Sequence, residues 1–326
     1  VPAPISLIVN PVAGGGKSGR IASDVLARLR GHGLEVQRSD TQDLPHAREL
    51  AVAGAAKGAT IVALSGDGMV GAIADSLKDV PGALLGLVPG GRGNDLARVL
   101  GIPDDPKAAC AIVAAGYTRN VDLGVVASEE GELSFVGIAS AGFDSDANRI
   151  ANEAPAWLGG LVYAYGAVRA LISWRPARFE IQLEPSGERL SYSGYSIAAA
   201  NSKAYGGGMM MAPDALLDDG RLEIIAVEQV SKARFLANLP KVFRGTHIHE
   251  PTVKVLRASE VSISADRPFT MYADGDPIGE LPVRVRAIAG AVRMIVPQHD
   301  PPHSAFSGAP PVGAEPSPPA SAPASG

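Results

Sequence analysis

The strongest constraint in this chain is a pattern that occurs three times in its first third: a short, almost continuously apolar run that ends in a glycine-rich turn. Residues 5–9 (ISLIV) lead into Asn10-Pro11 and then Ala13-Gly14-Gly15-Gly16-Lys17-Ser18-Gly19. Residues 60–64 (TIVAL) lead into Ser65-Gly66-Asp67-Gly68-Met69, and residues 84–88 (LLGLV) into Pro89-Gly90-Gly91-Arg92-Gly93-Asn94-Asp95. Runs without polar alternation mark strands buried on both faces, as in a parallel sheet covered by helices. Helical spacing of Ile, Leu, Val and Ala over residues 21–29 and 47–56 separates them, which predicts a βαβ architecture. Parallel strands bring their carboxyl ends to one edge, so the three loops are expected to surround a single ligand.

The residues of these loops suit a polyphosphate. Glycine-rich turns that open a helix present bare amides and the positive end of the helix dipole. The first loop is not a Walker loop, because its leading glycine would have to stand at Pro11. Gly14, Gly16 and Gly19 do satisfy G-x-G-x-x-G, which leaves a dinucleotide site and a ligand-free glycine turn both open. Asp67, between two glycines at a strand end, can hold Mg²⁺ or orient a hydroxyl; the alternative is a turn aspartate that caps a helix over residues 70–77.

After Asp122 the pattern changes to strands separated by turns, at residues 134–139, 179–183, 195–200, 222–227, 261–264 and 283–287. Val283, Val285 and Ala287 alternate with Arg284 and Arg286, the period of a half-exposed strand. The expected fold is therefore an α/β domain with a parallel sheet over residues 1–122, then a mainly antiparallel β-sandwich domain over residues 123–296 whose last strand returns to the first domain. Nine of the last thirty residues are proline, so 297–326 is expected to be a disordered tail.

Composition narrows the partners. With 46% hydrophobic residues in 326, long disorder is excluded, and a net charge of −5 lacks the positive field of a nucleic-acid binder. The single cysteine, Cys110, excludes internal disulfides and zinc ribbons and fits a reducing compartment. No signal sequence is read at the start, so the cytoplasm is expected. Residues 154–174 are long enough to cross a bilayer, but they contain Arg169, adjacent glycines and many alanines, and a buried or cleft-lining helix is the reading preferred. The histidines show no H-E-x-x-H pattern.

Taken together, Asn10-Pro11, Ser65 to Met69 and Pro89 to Asp95 resemble the diacylglycerol kinase catalytic-domain family, which includes bacterial lipid kinases and sphingosine kinases. Gly142-Phe143-Asp144, Asn201 with Tyr205 to Met209, Ala212 to Ala215, Asp218 to Leu222 and Ala273-Asp274-Gly275-Asp276 look like further motifs of that family. The resemblance implies ATP between two domains, held by Asn10, Gly14, Gly15, Gly16, Lys17, Thr41, Gly66, Asp67, Gly68, Gly91, Arg92, Gly93, Asn94, Asp95 and Asp276. It implies Asp274 as general base with Asp67 in the catalytic machinery, and a Mg²⁺ site at Asp214, Asp218, Asp219 and Leu222. Read without the family, Asp218 to Gly220 is a solvated acidic turn and Asp274-Gly275 a two-residue hairpin.

Four positions depart from the pattern. Met69 and Arg92 stand where many members have threonine, Ser65 replaces a glycine, and Asp276 a glutamate. Arg92 adds a forked cationic donor that can contact phosphate. On the lipid side, residues 231–244 (SKARFLANLPKVFR) form a basic amphipathic stretch suited to an anionic membrane, against a plain surface helix with its apolar side turned inward. The stretch 157–171 could line an acyl cavity or pack as core.

The resulting expectation is an ATP- and Mg²⁺-dependent lipid kinase acting on diacylglycerol or a sphingoid-like alcohol, at the inner face of the membrane. An NAD kinase-like enzyme and a non-catalytic nucleotide or lipid sensor stay open. A dehydrogenase is the weakest alternative. Oligomeric state is not fixed by the sequence, and a homodimer is compatible with it.

Overall fold

The computed structural model describes residues 3–153, 162–301, 303–308 and 310–313. The first part follows the predicted alternation: β1 (Ile5–Val9), α1 (Ala13–Gly31), β2 (Val36–Asp40), α2 (Leu44–Ala56), β3 (Thr60–Ser65), α3 (Asp67–Leu77), β4 (Leu84–Pro89), α4 (Asp95–Leu100) and α5 (Pro106–Ala115). The β1 strand is parallel to both β2 and β3, and β3 to β4. The sequence reading lacked β2, because VQRSD at a sheet edge buries only Val36 and carries no apolar run. Asp43 and Asp105 cap α2 and α5, accepting the amides of His46 and Ala108 just ahead of the first-turn prolines.

The second part contains β5 (Thr118–Ser128), β6 (Gly131–Phe135), β7 (Ile138–Gly142), α6 (Phe143–Glu153), α7 (Val162–Ser173), β8 (Ala177–Glu184), β9 (Arg189–Ala200), β10 (Leu222–Glu228), α8 (Lys232–Phe243), β11 (Val253–Ala258), β12 (Glu260–Ala265), β13 (Thr270–Ala273), β14 (Asp276–Glu280) and β15 (Val283–Ile295). Its pairings are antiparallel apart from one. Near its end β15 runs parallel to β4, with Arg293 opposite Leu84, while its earlier residues pair with β12. The last strand thus returns to the first domain, as expected, and joins the two halves in one sheet of order β14-β13-β7-β9-β8-β12-β15-β4-β3-β1-β2.

Three boundaries differ from the sequence reading. The division at 122/123 falls inside β5, which pairs with β15 along most of its length and so belongs to both halves. The strand expected at 134–139 is two strands, interrupted by Val136-Gly137, whose backbone groups turn out of the ladder to bind other residues. The tail expected to be disordered packs against the chain as far as residue 313. Arg119 forms an ion pair with Asp300 at 2.7 Å and lies 4.3 Å over the Phe306 ring, and Val312 bridges to Thr118. Proline has no amide to satisfy, so a proline-rich strap can lie along a surface through such contacts without forming an element. The remainder, 314–326, lies outside the described residues.

Hydrophobic burial is divided between two main cores. One surrounds β1, β3 and β4 with α1, α3 and α5. The other is aromatic, with Tyr195 stacked on Phe235 at 4.1 Å and Phe143 edge-on to Trp174 at 5.7 Å. Cys110 is a free buried thiol in the first core, and burial pushes its pKa up to about 11.

Candidate active site

The carboxyl ends of β1, β2, β3 and β4 lie side by side, with Val9 opposite both Asp40 and Leu64, and Ser65 opposite Pro89. All the predicted loops therefore open on one edge. They also touch one another. A methyl group on Gly14 would stand 2.4 Å from the Gly90 carbonyl oxygen, and one on Gly91 would stand 2.4 Å from Gly66 Cα, so only bare backbone permits the approach. Gly14, Gly15 and Gly16 have φ of 61°, 66° and 84°, and the first turn of α1 is consequently not right-handed helix. Ser18 Oγ donates to the Gly90 carbonyl at 3.1 Å, and Asn10 Oδ1 accepts the Val12 amide at 3.2 Å. Thr41 is at the end of β2, its amide donating to Val9 and its hydroxyl to the Asp43 carbonyl at 2.7 Å.

The acidic and amide side chains of these loops are committed to the protein itself. Asp67 accepts the amides of Asp95 and Leu96, both at 3.0 Å, and so caps α4 rather than the helix that follows it in sequence. Burial raises its pKa and those two amides oppose the rise. Each oxygen thus serves a helix terminus while retaining a second lone pair. Asn94 adopts φ 52°, accepts the Gly91 amide at 2.8 Å and donates to Asp104 at 2.9 Å, which makes it the brace of its own loop. Asp95 pairs with Arg98 and accepts the Gly207 amide at 2.7 Å. Met69 is buried in the first core, so its departure from threonine does not remove a donor from the cleft.

The cations behave differently. Half-buried Lys17 and exposed Arg92 have no hydrogen bond or ion pair among the described residues. Bare glycine backbone, with two uncommitted cations and nearby carboxylates already occupied, fits an anionic polyphosphate.

Asp274 reaches this edge from the second half of the chain. The Asp274-Gly275 turn between β13 and β14 has φ of 52° and 99°, as the hairpin signal predicts. The Asp274 carboxylate accepts the Val136 and Gly137 amides, each at 2.9 Å. It packs on α3: a methyl group on Gly71 would stand 3.0 Å from its Oδ2, and one on Gly68 3.1 Å from Asp276 Oδ2. Burial, reinforced by the charges of Asp67 and Asp276 and opposed by the two amides, pushes its pKa up to about 7. A carboxylate with that pKa is half ionised near neutrality, the condition a general base needs.

At the turn predicted to hold Mg²⁺ the side chains have protein partners. Among the described residues no group of three or more His, Cys, Asp or Glu side chains could hold a metal ion. Asp218 accepts the Ser307 amide at 2.8 Å and its hydroxyl at 2.9 Å, and Asp219 accepts the Arg221 amide at 3.0 Å. Exposed Asp214 is represented by its carbonyl near Arg257, and Leu222 opens β10 opposite Ala258 with its side chain in the second core. Asp218 thus holds the C-terminal strap and Asp219 the turn.

Comparison with known proteins agrees with this geometry. The profile of the diacylglycerol kinase catalytic domain matches residues 4–126, and that of the YegS C-terminal NAD kinase beta sandwich-like domain matches residues 137–296. A diacylglycerol kinase of Mycobacterium tuberculosis is 34% identical over 302 residues, covering 90% of this chain and 96% of that protein. The chain belongs to the diacylglycerol kinase catalytic-domain family. A probable YegS-like lipid kinase of Stenotrophomonas maltophilia is 29% identical over 288 residues, covering 84% of this chain and 91% of that protein. A crystal structure of a putative diacylglycerol kinase from Bacillus anthracis has the same fold, with a TM-score of 0.73 at 20% identity, covering 90% of this chain and 97% of that one.

As a member of this family the chain is a phosphotransferase, and the candidate site takes its walls from both halves. The part missed in the sequence is backbone: the Val136 and Gly137 amides that hold Asp274 carry no residue signature, although a methyl group on Gly137 would stand 2.3 Å from Asp274 Oδ1 and push the carboxylate aside. On the lipid side, α8 is tethered by the Phe235 stack on Tyr195, while Leu236 and Phe243 are 44% and 55% exposed. Two of its cations, Arg234 and Lys241, pair with Glu250, and Lys232 donates to the Ile172 carbonyl. Beside it, α7 exposes Val168 and Ile172. No described helix is long and apolar enough to cross a membrane, and 154–161 lie outside the described residues, with much of the stretch read as an acyl cavity.

Proposed function

We propose that this protein is an ATP- and Mg²⁺-dependent lipid kinase that transfers the γ-phosphoryl group to the hydroxyl of diacylglycerol or a sphingoid-like lipid alcohol. The observation that carries the reading is Asp274, a desolvated carboxylate at the lip of three touching glycine loops. In the reaction the lipid hydroxyl oxygen forms a bond to the γ-phosphorus as the bond from that phosphorus to the β–γ bridging oxygen breaks, and Asp274 takes the hydroxyl proton. Lys17 and Arg92 supply positive charge toward the phosphates, and the amides of Gly14, Gly15, Arg92 and Gly93 line the polyphosphate path. Mg²⁺ bound with the nucleotide would neutralise phosphate charge.

The lipid has to be delivered from a bilayer. The exposed apolar side chains of α7 and α8 support an apposition to the inner face of the membrane, with the second half of the chain nearest the lipid. Incubation with γ-labelled ATP, Mg²⁺ and a total lipid extract should label a lipid whose headgroup identifies the substrate. A parallel incubation with NAD should give no NADP⁺. NADP⁺ formation without lipid labelling would favour the NAD kinase alternative, and nucleotide binding without turnover the sensor.

A further inference from the structure

Val136 and Gly137 lie between β6 and β7, outside any strand ladder, and both faces of this link are occupied. On one face their amides donate to Asp274 at 2.9 Å each. On the other, Asn201 Nδ2 donates to the Val136 carbonyl at 2.9 Å, and the amides of Asn201 and Ser202 donate to the Gly137 carbonyl at 3.0 and 3.1 Å. The same Nδ2 donates to the Asp122 carbonyl on β5 at 2.8 Å, so the side chain is fixed between β5 and this link. Both its targets are carbonyls, which leaves the amide one orientation.

Asn201 is fully buried, and its Oδ1 has no partner among the described residues. A core position that leaves an acceptor unpaired is costly, and both hydrogen bonds of the Asn201 side chain go to backbone carbonyls. What it does is hold the peptide link that holds Asp274.

We propose that Asn201 is the positioning residue for Asp274: by gripping the Val136-Gly137 link from its carbonyl side, it aims two amides at both oxygens of the carboxylate. This rests on the reading of Asp274 as the proton acceptor. The charged groups that face Asp274 are Asp67 from α3 and Asp276 from β14, both acidic, so the two amides are what oppose the rise in its pKa. Loosening them should carry the carboxyl further toward its neutral form.

The test is a titration of the Asp274 carboxyl by carbon NMR in the full-length protein, with the signal assigned through Asp274→Asn. In Asn201→Ala the midpoint should rise by about one pH unit, the order expected for loss of an amide hydrogen bond to a carboxylate. The acid limb of kcat should move with it while KM for ATP stays constant. Ser202→Ala, which removes a buried hydroxyl without a partner and keeps the Ser202 amide, should leave the midpoint in place. If Asn201→Ala does not fold, Asn201→Ser, which keeps a single donor, is used, with Ile224→Val as a control for general loss of core packing. An unchanged midpoint in a folded Asn201 variant, or an equal shift in the Ser202 or Ile224 variant, overturns the proposal. A midpoint that shifts without moving the kcat limb upholds the positioning role and removes Asp274 as the base.

Discussion

Asp95 and Gly207 meet at 2.7 Å, a carboxylate oxygen accepting a backbone amide across the cleft between the two halves of the chain. Asp95 sits at the start of α4 on the third glycine loop, and Gly207 on the Tyr205 to Met209 turn beyond β9. One contact therefore joins the glycine-loop edge to the β-rich half, and it uses a side chain that the family resemblance assigns to ATP.

Asp95→Ala should weaken this closure. It leaves the Gly207 amide without its acceptor and the Arg98 guanidinium with the Gly93 carbonyl alone, a loss of about 1–3 kcal/mol in urea denaturation. In steady-state assays KM for ATP should rise more than kcat falls.

Asp274→Asn should abolish most turnover and barely change Tm. Removal of a positioned base costs roughly 10²–10⁴ in kcat. In the fold, Asn can accept only one of the two amides, but a charge that burial disfavours is also removed. The pH dependence has a definite sign. Because the folded pKa, about 7, is above the ordinary 3.8, the group's stabilising contribution is complete below about pH 4 and is lost as pH rises to 7. Denaturation at pH 4.5 and 7.5 should thus show Asp274→Asn gaining on the wild type at the higher pH. The activity of the wild type should fall on the acid side of about pH 7.

Gly91→Ala and Gly15→Ala should separate two uses of glycine. The first introduces a methyl group 2.4 Å from Gly66 Cα, so the second and third loops must part and ATP binding should be lost. The second meets nothing within 4 Å but has φ 66°, and costs about 1 kcal/mol of stability with ATP binding largely retained. Isothermal titration with ATP and thermal melts distinguish the two.

The C-terminal strap should be needed for stability. Asp300→Ala leaves the Arg119 guanidinium, whose side chain is 6% exposed, without its ion pair. A loss of about 1–3 kcal/mol is expected by urea denaturation, with kcat unchanged.

Membrane binding should depend on apolar contact more than on charge. Leu236→Ser with Phe243→Ser should reduce sedimentation with vesicles while Tm stays constant, since both side chains are exposed. Binding should rise with anionic lipid and fall with salt, but moderately, because Glu250 already neutralises part of the basic face of α8.

The loops, their common edge and the Asp274 hairpin were legible in the sequence, because each depends on local chemistry: apolar runs that can only be buried strands, glycines that alone accept the backbone, and an Asp-Gly pair that turns a hairpin. What those residues do once assembled depends on partners distant in the chain. Asp67 caps α4 rather than the helix that follows it, through two amides brought to it from another loop. Asp218 gains Ser307 from the strap, and Asp274 owes its raised pKa to burial and its hold to the Val136-Gly137 link. A carboxylate's role follows from which donors surround it and how much water is removed, and both are decided only when the chain closes on itself.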